Sequence, residues 1–294
     1  MNVQRAGRPV VVGLDGSDPS TRAVLWAASE AQRRHAPLRL VEAVDPTTPV
    51  HQYGDPRFGP DLHRIRERAA RAHLAHAARV VAEEAPGVPV EQAALDGFAV
   101  ARLVEESRSA QLVVIGDRGR GGVAGLLLGS VAVALAAKAA CPVTVVRGRA
   151  PAGDGPVVVG VDGTTISEAA LAFAFEAADA RSTSLVAVYA WRDLLLDQPT
   201  PLDDAIEQQA RADLAERLAG WCGKYPDVDV RRVLVRDAPA RAIVEQSVTA
   251  QLVVVSSHGR GGLGGLLLGS VSNAVLHRAG CPVVVVRPTA ADGA

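Results

Sequence analysis

The chain has 294 residues, with 31 Lys and Arg against 32 Asp and Glu, and a formal net charge of −1. That balance gives no general pull toward nucleic acid or an anionic membrane surface, and no apolar run approaches the length that spans a bilayer. Three cysteines, none in a CxxC pair, are too few for a disulfide framework; the expectation is two domain-sized halves in a reducing cytoplasm, without nucleic-acid or membrane partners.

The first apolar run, "PVVVGLDGS" from Pro9 to Ser17, predicts a strand over 9–14 with Asp15 at its end. A helical pattern over 19–35 and a strand over 38–44 follow. The polar, proline-rich stretch from Asp45 to Asp61 reads as a surface loop. Leu62, Ile65, Ala69 and Ala72 step by three and four, which marks one stripe of a helix over 61–85. His73 and His76 stand on that helix; two histidines without further ligands are read as solvent-facing or packing residues rather than a metal site. A strand over 88–95 alternates more than the others and is placed at a sheet edge. Then come a helix over 98–109, a strand over 111–116, a glycine-rich loop, a helix over 130–140 and a strand over 142–147 opened by Cys141. Short apolar strands alternating with helices predict an α/β fold with an open parallel sheet and right-handed crossovers.

At Pro156 the pattern starts again as "PVVVGVDGT", with strands expected over 156–162, 184–190, 228–235, 251–256 and 282–287. Early landmarks lie 147 residues apart (Asp15 and Asp162, Ala43 and Ala190) and later ones 140 apart (Gly119 and Gly259, Cys141 and Cys281). The first copy therefore carries seven extra residues, placed in its 45–61 loop. With "GRAPAGDG" from Gly148 to Gly155 as the joint, two tandem domains are expected over 8–148 and 155–288. Trp26, Trp191 and Trp221 are read as packing residues, although Trp191 follows the second strand of its copy, near a strand-end crevice.

In open α/β sheets, ligands bind beyond the carboxyl ends of strands where the winding reverses. Asp15 and the loop after strand four both sit at such ends. The loop reads Gly116-x2-Gly119-x9-Gly129-Ser130. Glycines let the main chain approach a ligand closely, successive amides form an anion nest, and Ser130 is placed as the N-cap of the next helix, whose start attracts anions. A phosphate chain is the natural guest, while Asp15 suits a ribose hydroxyl or an exocyclic amine. Arg118 and Arg120 either add charge or point into solvent. There is no GxxxxGK[ST], and no GxGxxG follows the first strand, so neither a P-loop nor a Rossmann dinucleotide site is expected. The second copy offers Asp162, Gly259, Gly269 and Ser270, but has Ser256 where the first has Gly116, and His258 for Arg118. If position 256 needed a positive φ, serine would cost about 1 kcal/mol or more; in extended backbone it would be nearly harmless. A weaker or altered second site is expected.

"VVVGLDGS", "GDRGRGGVAGLLLGSV" and "CPVTVVR" together resemble a universal stress protein domain, and the pattern G-x2-G-x9-G-[S/T] is the signature of that family's ATP-binding branch. The resemblance covers essentially the whole chain as two tandem domains. It implies Rossmann-like (adenine nucleotide α hydrolase-like) domains, each with five parallel strands in the order 3-2-1-4-5 flanked by helices. The last strand commonly mediates pairing, within the chain or in a homodimer. By the same resemblance, Asp15 contacts the adenosine, Gly116, Gly119, Gly129 and Ser130 hold ribose and phosphates, and Ala43 and Leu95 flank the adenine. Gly13, Arg118 and Val131 complete the first set, and Asp162, Ala190, Val235, Gly259, Gly269, Ser270 and Val271 form the second. The implied cofactor is ATP, with Mg²⁺ held through the phosphates. The implied role is a stress-response regulator whose nucleotide occupancy biases conformation or binding of an unassigned protein partner. No catalytic residue is assigned. A slow ATPase or phosphotransferase stays open, although no convincing base accompanies the loop; so does a scaffold with vestigial loops.

Overall fold

Valine-rich runs bounded by Gly, Pro and Asp become short strands because β-branched side chains suit a pleated surface covered on both faces. The computed structural model describes residues 7–45, 59–119, 128–148, 155–191, 202–259 and 268–287, and the chain divides into two units, Met1–Val146 and Arg147–Ala294. The tips of both glycine loops, with Arg120, lie outside the described residues, as do most of the 45–61 stretch and the joint between the halves.

The first unit runs β1 (Val10–Gly13), α1 (Asp18–Arg33), β2 (Leu38–Val44), α2 (Gly59–Glu84), β3 (Val90–Asp96), α3 (Ala99–Glu106), β4 (Leu112–Gly116), α4 (Ser130–Lys138) and β5 (Val143–Val146). Its strands are all parallel, in the order β3-β2-β1-β4-β5. Val10 is opposite Leu38 on one side and Leu112 on the other, so β1 and β4 are neighbours. The chain winds outward from β1 to β3, then returns through β4 to β5. Right-handed crossovers therefore put α1 and α2 on one face and α3 and α4 on the other, and α1 packs with α2 and α3 with α4. Val10–Val12, Leu38, Leu40 and Leu112–Val114 have no exposed surface and form the core. β3 is the edge strand, as its alternation predicts, with Glu91, Gln92 and Asp96 exposed.

Helix α1 shows how the local signals work. Ser17 is its N-cap and accepts from the Ser20 amide at 3.4 Å, with a proline in the first turn. Ala23, Ala27 and Ala31 recur every four residues and are buried. Glu30, only 1% exposed, is matched by Arg34 at 2.5 Å and Arg33 at 3.9 Å, as a buried carboxylate requires.

The second unit repeats the order: β6 (Val157–Val161), α5 (Thr165–Asp179), β7 (Leu185–Trp191), α6 (Leu202–Lys224), β8 (Val230–Arg236), α7 (Pro239–Gln246), β9 (Leu252–Ser256), α8 (Ser270–Arg278) and β10 (Val283–Val286). The sheet reads β8-β7-β6-β9-β10. Its edge strand β8 exposes Arg231, Arg232 and Arg236. Phe175 stacks with Trp221 and Tyr225 between α5 and the end of α6, with ring centroids 5.9 and 5.7 Å apart, so Trp221 is a packing residue. Trp191 closes β7, but its side chain lies outside the described residues. Among the described residues no helix is long and apolar enough to cross a membrane. Cys141 and Cys281 are buried, and burial pushes the Cys281 thiol up to about 12.

Candidate functional site

In the first unit, β1 ends under a tight turn made by Asp15, Gly16 and Ser17. Gly16 has φ +76°, a conformation glycine adopts without strain. The turn lets Asp15 Oδ1 accept from the Ser17 amide at 3.1 Å and from its hydroxyl at 2.6 Å. The other carboxylate oxygen faces the glycine loop: a Cβ on Gly119 would lie 2.5 Å from Oδ2. Strand-end carboxylate and loop main chain thus meet across the β1/β4 switch point, as the sequence predicts. Below, the Gly129 amide donates to the Asp117 carbonyl at 2.8 Å, pinching the loop shut at its base. Asp117 itself is buried, with Arg22 at 3.8 Å.

The N-cap of the helix after the loop lies one residue earlier than expected. Gly129, with φ −75° and ψ 149°, is the N-cap, and Ser130 is the first helical residue. No side chain caps this end. Helix geometry leaves the first amides without intrahelical acceptors, so those of Ser130 and Val131 are available to an anion. Arg118 is exposed beside Gly119. Ala43 and Leu95 are register partners near the ends of β2 and β3, both half-buried, so the two residues expected to flank the adenine are brought together.

Two predicted glycines serve packing. A Cβ on Gly13 would lie 2.8 Å from Leu103 Cδ1, so this position lets α3 close onto β1. A Cβ on Gly116 would lie 2.7 Å from both the carbonyl carbon and oxygen of Pro19, in the first turn of α1. Gly116 is therefore needed where helix and strand backbones approach, not for a left-handed φ.

The second unit reproduces this arrangement. Asp162 Oδ1 accepts from the Thr164 amide at 2.9 Å and hydroxyl at 2.7 Å, across Gly163 at φ +80°. A Cβ on Gly259 would lie 2.8 Å from Asp162 Oδ2. The Gly269 amide donates to the Ser257 carbonyl at 2.8 Å, and Gly269 caps α8, so Ser270 and Val271 open the helix. Here too Ser270 is the first helical residue rather than the cap. Ala190 and Val235 are register partners. Ser256, without a positive φ, turns its hydroxyl to the His258 carbonyl at 2.9 Å. His258 Nδ1 lies 3.1 Å from the Ser257 hydroxyl, so its ring leans on its own loop.

The sequence reasoning passed over Ser17 and Thr164. The signal was there: Asp-Gly-Ser or Asp-Gly-Thr after a strand is an Asx-turn signature. It also passed over the pinch at Asp117 and Ser257, which no residue type announces because main chain makes it.

The family model for universal stress proteins matches residues 7–147 and again 155–287. The chain belongs to the universal stress protein family. A universal stress protein of Mycobacterium tuberculosis is 45% identical over 300 residues, covering 98% of this chain and 99% of its own. One of Mycolicibacterium smegmatis is 41% identical over 286 residues, with 95% and 97% coverage. The crystal structure of a universal stress protein from Archaeoglobus fulgidus superposes with a TM-score of 0.69 over 97% of both chains at 17% identity, which supports the fold alone. The similarity to these relatives thus runs along nearly the full length of both chains.

Proposed function

We propose that this universal stress protein binds an adenine nucleotide in each unit and acts as a regulator through that occupancy. The contact between Gly119 and the Asp15 carboxylate carries the proposal. It makes one crevice with a hydrogen-bond acceptor on one wall and anion-seeking amides on the other. The phosphates would sit on the loop main chain and the first amides of α4, with Asp15 on the ribose or base and Ala43 and Leu95 beside the adenine. The donor set suits the guest, since glycines and a helix start attract phosphate without any side-chain charge. Among the described residues no trio of His, Cys, Asp or Glu is grouped to hold a metal, so Mg²⁺ would arrive on the phosphates. The second site is altered rather than abolished: Ser256 is accommodated, and the main difference is a histidine ring where the first site has an arginine.

Mass spectrometry of nucleotide released from freshly purified protein tests this. ATP or ADP is expected, and is lost from the Asp15→Asn, Asp162→Asn double variant. Protein that carries no nucleotide and takes none up at millimolar ATP–Mg²⁺ overturns the proposal. Turnover of the retained ATP well above its uncatalysed rate would replace a regulator with an enzyme.

A further inference from the structure

The first unit has a cavity of about 220 Å³ between α1 and α2, behind the Asp15–Ser17 turn. Its floor is apolar, from Leu14, Val24 and Val80, and its polar wall carries Asp18, Thr21, His73 and His76. No lysine or arginine lines it. His73 Nδ1 lies 3.0 and 3.1 Å from the two oxygens of Glu42, which is only 8% exposed on β2. A carboxylate only accepts, so the His73 Nδ1–H points at Glu42. The ring's Nε2 packs on Gly16, where a Cβ would lie 2.6 Å away. The chamber thus offers the Ser20 and Thr21 hydroxyls and the Asp18 carboxylate above an alkyl-friendly floor. His76 Nδ1 is met by Arg79 at 3.5 Å, and Arg79 is not part of the lining.

The second unit identifies the chemistry that fits. By the repeat spacing, Thr21 corresponds to Glu168, Ala77 to Arg217 and Val81 to Trp221. Glu168 accepts from Trp221 Nε1 at 3.2 Å and lies 3.5 Å from the Arg217 guanidinium. There the chain sets its own half-exposed guanidinium, on its alkyl stem, against a carboxylate of the other helix. In the first unit the arginine is the small Ala77, while a carboxylate stays on the same helix face as Asp18, three residues before Thr21. A metal is not the occupant this suggests, since no metal-holding trio occurs among the described residues.

We infer that this cavity binds a small free organic cation, an ammonium or guanidinium on a short alkyl stem, with Asp18 taking the charged head and Leu14, Val24 and Val80 the stem. The site is separate from the glycine-loop crevice and does not rest on nucleotide binding. Isothermal titration of the full chain with agmatine tests it, with succinate and 1-pentanol as anionic and neutral controls. Saturable binding of one agmatine per chain is expected, with neither control binding. Asp18→Asn weakens it at least tenfold. The double variant Thr21→Glu, Ala77→Arg installs the second unit's pair and abolishes binding, while keeping a wild-type circular-dichroism spectrum. Wild-type protein that shows no saturable agmatine binding overturns the inference. So does succinate or pentanol binding as tightly as agmatine, or unchanged agmatine affinity in a folded Thr21→Glu, Ala77→Arg variant.

Discussion

Exchanging the residues at one equivalent position of the two units separates packing from ligand contact. In Gly116→Ser, the new Cβ falls 2.7 Å from the Pro19 carbonyl carbon and oxygen and 2.9 Å from its Cβ. Two of those three atoms are backbone, so a rotamer change cannot relieve the clash and the first turn of α1 must move away from β4. Overpacking of this kind costs about 1–3 kcal/mol. At ~2–4 °C per kcal/mol for a unit of this size, melting of the first unit falls by about 2–12 °C. The reverse change, Ser256→Gly, removes the hydroxyl bond to the His258 carbonyl, worth about 1 kcal/mol, and adds a strand glycine at about 0.5–1 kcal/mol. Both variants should therefore lose stability, for different reasons and in different units. Calorimetry gives the size, and amide exchange of peptides from α1 and β4 against α5 and β9 gives the location, because two units need not melt as one. A Gly116→Ser protein that melts within about 1 °C of wild type, with unchanged exchange in α1, would show that the close approach at Pro19 does not constrain this position.

Gly119→Ala puts a methyl 2.5 Å from Asp15 Oδ2; the carboxylate can swing away, so the melting temperature should hold while ATP binding in the first unit weakens at least about tenfold, ~1.4 kcal/mol, by titration with a fluorescent analogue. Arg34→Ala removes the guanidinium 2.5 Å from the buried Glu30 carboxylate, and urea unfolding should show a loss of about 3 kcal/mol. Cys222 is the half-exposed cysteine and Cys141 and Cys281 are buried, so iodoacetamide should label Cys222 first, read by peptide mass mapping. The folded Cys281 thiol keeps its proton to about 12, against an ordinary value of 9.0. Its contribution to stability is complete below pH 9.0 and is lost between 9.0 and about 12; a Cys281→Ala variant should flatten that part of the alkaline unfolding curve.

Much of this architecture was legible in the residues because it depends on short-range patterns. "PVVVG", "QLVVIG" and "CPVTVV" have no polar alternation, and each became a strand buried on both faces. The alternating run near residue 90 became the edge. The crevice was legible for a similar reason: Asp15 ends a strand and Gly119 follows one, so knowing which strands are neighbours was enough to bring them together. What sequence reading missed depends on pairs far apart in the chain. Nothing near Gly116 announces Pro19, and nothing near Gly13 announces Leu103. His73 read as a solvent-facing or packing residue, but nothing near it announces that its ring is fixed by Glu42, 31 positions earlier on a strand. The cap slipped by one residue because both Gly129 and Ser130 are plausible caps, and the bond from the Gly129 amide to the Asp117 carbonyl decided between them.

The outer strands have a consequence for crowded solution. A terminal strand presents unpaired amides and carbonyls that a second molecule can extend into a continuous ribbon. Glu91, Gln92 and Asp96 stand on that rail in one half of the chain, and Arg231, Arg232 and Arg236 on its counterpart in the other. Identical rails brought side by side would crowd charges of one sign and strip their water. Each unit thus carries one charged border strand, acidic in the first and basic in the second, that resists pairing with its own like.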